Sequence, residues 1–177
     1  MIDDILDAPQ EEKDKLSGQK PVSQKSGFNL KSLLKQSVAL FNTETLNRPI
    51  ALNLEFGADI PSVIEGDPMH VRQILINLLG NAFKFTEQGV IALSAEYDYM
   101  TGLLTVAVSD TGQGIELSRI NEIFEADKPE ESDSASQSAG KGLAISKQLA
   151  ELLDGRLEVS SVVGQGSTFT LLIPVRQ

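Results

Sequence analysis

Three polar side chains share one edge of a stretch that otherwise reads as an apolar helix. In NLLGNAFKFT, residues 77–86, the side chains of Asn77, Asn81 and Lys84 fall within about 60° of one another at about 100° per residue. Amides are disfavoured inside helices, so two of them on one stripe indicate that a local cost is tolerated for a purpose. Together with the ammonium group they suggest a ligand with hard oxygens, and carboxamide oxygens suit Mg²⁺. The alternative is that both asparagines bond neighbouring backbone and that the lysine is solvated.

A glycine-rich turn follows the strand-like run LLTVAVSD. The sequence SDTGQGI places Gly112 and Gly114 two residues apart, which allows the backbone to turn sharply and to approach a flat ligand closely. Asp110 lies at the mouth of this turn, where its carboxylate could accept a hydrogen bond from an exocyclic amine. The alternative is an ordinary strand-to-helix turn in which Asp110 caps the segment near Ile115, because Asp-Thr-Gly is a common turn composition.

A second pair of glycines opens the helix predicted for GKGLAISKQLAELLDG. At a helix start the backbone N–H groups of Gly140 and Gly142 are free, and with Lys141 they would form an anion site. The alternative is a plain helix start after a loop. The motif is neither a Walker A loop, which needs G-x-x-x-x-G-K-[ST], nor a Rossmann fingerprint, which needs a third glycine and a feeding strand.

The composition narrows the class of protein. The 177 residues are enough for one domain with a core, and no run approaches the ~20 apolar residues that cross a bilayer. The absence of cysteine excludes disulfides and thiolate chemistry, and the single His70 excludes a multi-histidine metal site. A net charge of −10 argues against nucleic-acid binding and means that a phosphate ligand needs a metal ion and local cations. We expect a cytoplasmic domain without membrane contact.

Hydrophobic periodicity and turn signals predict the elements that must position these residues. They are a helix capped by Asn29, a strand over 50–56, a helix capped by Asp67 with Pro68 at its first position, strands over 89–99 and 103–110, a short helical stretch with Ile120, Ile123 and Phe124, a mobile tract over 125–139, a helix ended by Gly155 in the left-handed conformation, and a hairpin that turns at 164–166. Tight turns between consecutive strands predict an α/β (α+β) two-layer sandwich, with a mixed, mainly antiparallel sheet covered on one face by helices.

In combination, the motifs resemble the ATP-binding catalytic domain of bacterial sensor histidine kinases, some of them hybrid kinases. DNA gyrase, a class of heat-shock chaperone ATPases and the MutL proteins belong to the same superfamily. GDPMHVRQILINLLGNAFKFT looks like the N box of that family, DTGQGI like its first glycine box, IFEAD like a remnant of its F box, GKGLAIS like its second glycine box, and GQGSTFTLLIP like its closing hairpin. MIDDILD looks like the end of a dimerisation helix. The resemblance implies a remnant of that helix plus a linker over 1–27, and the catalytic domain over 28–177.

The resemblance also implies roles for single residues. Asn81 would ligate Mg²⁺, Asn77 would position the metal or its water, and Lys84 would touch phosphate. Asp110 would accept from the adenine amine, with Gly112, Gly114 and Ile115 shaping the base pocket and Thr168 joining the nearby water network. The second glycine box would supply Gly140, Lys141, Gly142 and Leu143 to the nucleotide, under a lid over about 116–139.

The implied activity is transfer of the γ-phosphoryl group of Mg-ATP to a histidine on a dimerisation domain outside this chain, with a response regulator or receiver domain downstream. Hydrolysing relatives carry Glu in the place of Asn77, and an amide cannot serve as a general base, so transfer is favoured over ATP hydrolysis. The alternative is a degenerate module that binds nucleotide weakly and acts through protein contacts, because the F box and the second glycine box are altered. We expect the isolated domain to be a monomer.

Overall fold

The computed structural model describes residues 25–125 and 134–176, with the backbone alone over 134–140. The elements, in chain order, are β1 (Ser26–Phe28), α1 (Leu30–Ala39), α2 (Asn42–Asn47), β2 (Ile50–Phe56), β3 (Ile64–Gly66), α3 (Pro68–Phe85), β4 (Gly89–Asp98), β5 (Leu103–Asp110), α4 (Ser134–Leu152), β6 (Arg156–Val162) and β7 (Gly166–Pro174). Two short 3₁₀ turns, Leu117–Arg119 and Glu122–Phe124, lie between β5 and α4.

Five strands form the main sheet in the order β2-β4-β5-β7-β6. Only the β2–β4 pair is parallel, because α3 crosses over between them; the β4–β5, β5–β7 and β6–β7 pairs are antiparallel. The predicted mixed, mainly antiparallel sheet is therefore confirmed. The strand order brings the C-terminal end of β5 next to the N-terminal end of β7, where Asp110 pairs with Ser167.

The helices cover one face of this sheet. Along β5, Leu104, Val106 and Val108 are buried, whereas the alternate residues are half-exposed on the other face. Helix α3 lies at the centre of the core, with Ile74, Leu75, Leu78 and Leu79 fully buried. Burying a side chain of this size contributes about 1.5–3 kcal/mol, so α3 is fixed firmly by its apolar face. Its polar stripe is consequently held in one place.

Local signals set the start of α3 as predicted. Asp67 is the N-cap, and its Oδ1 accepts hydrogen bonds from the backbone N–H groups of Met69 at 3.0 Å and His70 at 3.1 Å. Pro68 occupies the first helical position, where its missing N–H costs nothing. Asn29 caps α1 in the same way through the N–H of Ser32, at 2.8 Å. Both predicted caps are confirmed.

The end of α4 differs from the prediction. The helix stops at Leu152, and the residue in the left-handed conformation is Asp154, with φ of 60°, and not Gly155. Gly155 is needed for a different reason, because a Cβ at this position would clash with the carbonyl oxygen of Leu172 and the side chain of Ile173. The glycine thus allows the chain to pass close to β7 as it enters β6.

Some of the structure was absent from the sequence-based prediction. Strands β1 and β3 form a two-stranded antiparallel sheet, so pairing already begins at Ser26, before the predicted domain boundary at Phe28. Helix α4 begins at Ser134, inside the tract predicted to be mobile, whereas the 3₁₀ turns lie in the region where a short helical stretch was predicted. Residues 126–133 of that tract and 1–24 of the predicted dimerisation remnant lie outside the described residues.

Candidate functional site

The carboxylate of Asp110 lies where the end of β5 meets the end of α3. Its Oδ1 accepts a hydrogen bond from the backbone N–H of Gly112 at 2.8 Å. Burial raises the pKa of the Asp110 carboxyl, although the N–H groups of Gly112 and Ser167 and the hydroxyl of Thr86 lower the same pKa. The site therefore holds an acceptor that has lost part of its water and would gain from a new donor.

Gly112 lines this carboxylate because no larger residue fits. A Cβ at position 112 would clash with the carbonyl oxygen of Phe85 and would lie 2.9 Å from both Asp110 Oδ1 and Thr86 Oγ1. The hydroxyl of Thr86 is fully buried and interacts with the Asp110 carboxylate, but this contact is weak, because the hydroxyl makes no hydrogen bond of ordinary geometry with a described residue. A buried hydroxyl that is so poorly bonded is costly, so this corner is suited to a polar ligand or a bound water.

The first glycine loop, residues 111–115, is hydrogen-bonded to the β6–β7 hairpin and packs closely against it. Gly114 has φ of 73°, and a Cβ there would clash with the carbonyl of Val162. Gly164 N–H donates to the carbonyl of Gln113 at 2.7 Å, and Ile115 N–H donates to Ser161 Oγ at 2.8 Å. Ile115 itself is half-exposed and packs against the core. The loop is thus fixed on both sides of Gly114.

Two serines of this hairpin were missed by the sequence analysis. Ser161 Oγ bonds the N–H of Ile115, the carbonyl of Gly166 and the hydroxyl of Ser167, the last two both at 2.9 Å. Ser167 is buried and pairs in register with Asp110. Thr168 bonds Ser109 at 3.0 Å, and strand alternation puts both on the opposite face of the sheet. Because alternate residues of a strand share a face, Ser167 lies on the same face of β7 as the core residue Phe169. This alternation would have predicted Ser167, and not Thr168, as the residue on the side of the helices.

The predicted stripe on α3 is present, with unequal surroundings. Asn77 is bonded through its side chain to Gln73 of α3 and to Gly142 and Ser146 of α4. Asn81 is 9% exposed, and its Nδ2 has no hydrogen-bond partner among the described residues. Lys84 is half-exposed, with its Nζ 5.4 Å from the ring centre of Phe85.

The second glycine box lies inside a helix and not at its start. Because α4 begins at Ser134, Gly140 and Gly142 lie beyond the first turn, whose N–H groups alone have no partner within the helix. Lys141 is exposed, and Leu143, 5% exposed, belongs to the hydrophobic core. The predicted helix start is therefore wrong. The backbone N–H groups of Gly140 and Gly142 are not at a helix N-terminus, so the predicted anion site does not follow from their position.

The chemistry of these groups favours a polar organic ligand over a metal held by protein carboxylates. Within residues 25–125 and 134–176, no three His, Cys, Asp or Glu side chains come together as a metal-binding group. The unbonded N–H of Asn81 and the hydroxyl of Thr86 instead offer neutral polar contacts, and Asp110 offers one acceptor. Amides on a helix also fit a Mg²⁺ ion whose other ligands are mostly phosphate oxygens and water.

No helix in the described part of the chain has the length and apolar character to span a bilayer.

The sheet order, the single helical layer and the glycine-lined carboxylate define a two-layer ATPase-type domain. The chain belongs to the family of histidine kinase-, DNA gyrase B- and HSP90-like ATPases, whose profile matches residues 66–177. The matched part contains all of the site residues described above. The predicted family and fold are thereby confirmed.

The relatives are sensor histidine kinases. The chain is 34% identical to the autoinducer 2 sensor kinase/phosphatase LuxQ of Vibrio parahaemolyticus, over 99% of this chain and 21% of LuxQ. It is 35% identical to the sensor protein TorS of Escherichia coli, over 99% of this chain and 18% of TorS. The chain therefore spans about a fifth of the length of these relatives.

Solved structures of histidine kinases share the fold. The catalytic domain of the histidine kinase ThkA superposes with a TM-score of 0.72 at 27% identity, covering 85% of this chain and 95% of that one. Full-length ShkA, crystallised in complex with AMPPNP, superposes with a TM-score of 0.75 at 29% identity, covering 87% of this chain and 32% of ShkA. The chain is thus related to the catalytic part of these kinases.

Proposed function

We propose that this domain binds ATP and donates the γ-phosphoryl group to a histidine on a separate dimerisation domain of a sensor kinase. The observation that carries the proposal is the partly buried carboxylate of Asp110, set against the backbone of Gly112. The exocyclic amine of adenine can donate to this carboxylate, and the glycine leaves space for a flat base. Gly114 shapes the loop, and Ile115 supplies an apolar wall. Ser167, as the neighbour of Asp110, takes the supporting role that the resemblance gave to Thr168.

The phosphates would extend from Asp110 toward the polar stripe of α3. The buried N–H of Asn81, which has no partner among the residues that the structure describes, suits a phosphate oxygen or a metal-bound water. Asn81 would hold Mg²⁺, and Lys84 and Lys141 would add positive charge in a chain of net charge −10. When bound, Mg²⁺ offsets the negative charge of the phosphates.

The proposed reaction breaks the bond between the γ-phosphorus and its bridging oxygen and forms a phosphorus–nitrogen bond to the acceptor histidine. The bridging oxygen leaves with its electron pair as part of ADP. Such transfer depends mainly on positioning and on charge neutralisation. Asp110 would position the nucleotide at its base, and the polar stripe of α3 would position and neutralise its phosphates. An amide at Asn77 cannot activate water as a general base, which favours transfer over hydrolysis.

The acceptor is placed on another domain because His70 is unsuited to this role. Its Nδ1 lies 3.1 Å from Oδ2 of the N-cap Asp67, and its side chain is only 15% exposed. A response regulator or receiver domain would take the phosphoryl group next. We place the reaction in the cytoplasm, with the isolated domain a monomer.

Calorimetric titration of Mg-ATP and Mg-ADP into this chain and into Asp110→Asn tests nucleotide binding. A charge-assisted hydrogen bond is worth about 1.5–3 kcal/mol, so the variant should bind about 10- to 100-fold more weakly. No binding by the unmodified, folded chain at millimolar nucleotide would overturn the proposal.

Transfer is tested by mixing the chain with γ-labelled ATP and an isolated dimerisation domain that carries an acceptor histidine. We expect acid-labile label on that domain and none when the histidine is replaced. Steady release of inorganic phosphate without an acceptor would instead identify a hydrolysing ATPase.

A further inference from the structure

Asn77 joins helix α3 to helix α4. Its Nδ2 lies 3.1 Å from the carbonyl oxygen of Gly142 and 3.1 Å from the hydroxyl of Ser146, both on α4. Its Oδ1 accepts from Gln73 Nε2 at 3.0 Å, one turn earlier on α3. These contacts link the polar stripe of α3 to the turn of α4 that carries the second glycine box.

The partners of Asn77 fix which way its amide faces. The carbonyl oxygen of Gly142 can only accept a hydrogen bond, so the amide atom beside it must be the NH₂ group and not the oxygen. An amide has two N–H donors, and Gly142 and Ser146 use both of them. The oxygen of Asn77 therefore faces Gln73 and not α4.

Ser146 completes this arrangement from the α4 side. It is fully buried, and its Oγ donates to the carbonyl of Gly142 at 2.8 Å while it accepts from Asn77. Both Asn77 and Ser146 thus converge on a single carbonyl group, that of Gly142. Asn81 differs, because its buried Nδ2 has no partner among the residues that the structure describes.

We propose that Asn77 is a donor cross-link between α3 and α4, that Ser146 is the positioning residue that completes it, and that Asn81 alone presents its amide to the metal and phosphates. The inference rests on the proposed function for the ligand at this site, and it departs from the metal role that the resemblance gives to Asn77. The cross-link holds Gly142 and its neighbour Lys141 at a fixed position beside the α3 stripe. Breaking it lets α4 shift and weakens nucleotide binding without removing the metal contact.

The first test observes the cross-link without nucleotide. In the chain labelled with ¹⁵N at asparagine, the side-chain NH₂ signals of Asn77 should exchange slowly with water. Ser146→Ala should shift these signals and speed their exchange, whereas the matched control Gln148→Ala, at an exposed position on α4, should leave them unchanged. Unchanged Asn77 signals in Ser146→Ala would overturn the proposal. Because no nucleotide is present, this test is decided even if the chain proves not to bind ATP.

The second test separates positioning from metal ligation. The measured quantity is the ratio of ATP affinity with Mg²⁺ to ATP affinity with excess EDTA. We expect Asn77→Ala and Ser146→Ala each to weaken binding about three- to tenfold in both conditions, so that this ratio stays constant. The double variant should be little weaker than either single variant, because both remove one linked set of bonds. Asn81→Ala should lower the ratio itself.

The opposite pattern would contradict the proposal. If Asn77→Ala lowers the Mg²⁺-dependent ratio as much as Asn81→Ala does, while Ser146→Ala leaves it constant, then Asn77 is a metal ligand. Additive losses in the double variant would show that Asn77 and Ser146 act separately. Circular dichroism of each variant confirms that it is folded before binding is compared.

Discussion

The backbone of Gly112 passes so close to the carbonyl oxygen of Phe85 that no Cβ atom fits between them. This approach joins the last residue of α3 to the loop after β5, and Gln113 N–H also reaches the Phe85 carbonyl, at 3.4 Å. The carboxylate of Asp110 and the hydroxyl of Thr86 lie at the same corner. The end of the N-box helix and the first glycine box are therefore one structural unit.

Gly112→Ala should displace this loop and impair both folding and nucleotide binding. The added methyl group would clash with Phe85, and we expect a loss of about 1–3 kcal/mol in the free energy of unfolding and at least tenfold in ATP affinity. The control is Gly80→Ala on α3, where a Cβ meets nothing within 4 Å. This control should stabilise the helix by about 1 kcal/mol. Urea melts and calorimetry measure both quantities, and equal behaviour of the two variants would refute the steric argument.

Burial of Asp110 should make its contribution to stability depend on pH. Because burial raises the pKa of Asp110 in the folded protein above its ordinary value of 3.8, its contribution is fully present below that value and is lost as pH rises through the raised pKa. Asp110→Asn removes this loss. The gain in unfolding free energy on substitution should therefore be larger at pH 7 than at pH 3.5, as measured by urea melts.

Asp98 supplies a control of opposite sign. Hydrogen bonds from the Thr101 hydroxyl and the Met100 N–H lower the pKa of Asp98, so its contribution is present above 3.8 and is lost as pH falls through the lowered pKa. Asp98→Asn should lower stability more at pH 7 than at pH 3.5. If both substitutions changed stability by the same amount at each pH, neither assignment would stand.

Much of the fold could be predicted because it depends on local signals. The cap at Asp67, the alternation along β2 and the turn at Gly164 are each encoded within a few residues. The pairing of β1 with β3 could not be predicted, because each strand has only three residues and their register depends on contacts between segments far apart in the sequence. The same holds for α4, whose start at Ser134 lies in a polar, serine-rich stretch without an apolar pattern.

The candidate site was predictable in its residue types and less so in its bonds. The stripe containing Asn77 and Asn81 followed from helical periodicity alone. The bonds from Asn77 to α4 join residues 65 or more positions apart, and helical periodicity does not reveal that Asn81 Nδ2, by contrast, has no partner in the described part of the chain. The bond between Ser161 and the N–H of Ile115 likewise joins positions 46 residues apart that no local pattern connects.

Ser161→Ala should loosen the first glycine loop from the hairpin. The substitution removes the acceptor of the partly buried Ile115 N–H, and loss of such a hydrogen bond costs about 0.5–1.5 kcal/mol. The neighbouring Ser160 is exposed on the same strand, and Ser160→Ala should change the free energy of unfolding by less than about 0.5 kcal/mol. Thermal melts of both variants, with hydrogen exchange at the Ile115 amide, test this. Slow exchange retained in Ser161→Ala would show that the bond is not what holds the loop.

Thr86→Val should separate stability from binding. The Thr86 hydroxyl is buried beside Asp110 without a well-formed bond, and replacing it by a methyl group of the same shape removes that cost. We expect the nucleotide-free protein to gain about 1 kcal/mol in unfolding free energy. Binding should weaken about three- to tenfold, because a polar contact available to the nucleotide or its water is lost.

Thr105→Val is the matched control for Thr86→Val. Thr105 lies on β5 on the face of the sheet away from the helices, and it pairs with Glu96 and Leu172 at the other end of the strand from Asp110. The same exchange of a hydroxyl for a methyl group should there change stability by less than about 0.5 kcal/mol and leave ATP affinity unaltered. If Thr86→Val lowered stability and left affinity unchanged, its hydroxyl would be bonded within the protein and Thr86 would be structural. A gain in stability together with a loss of affinity would identify it as part of the nucleotide site.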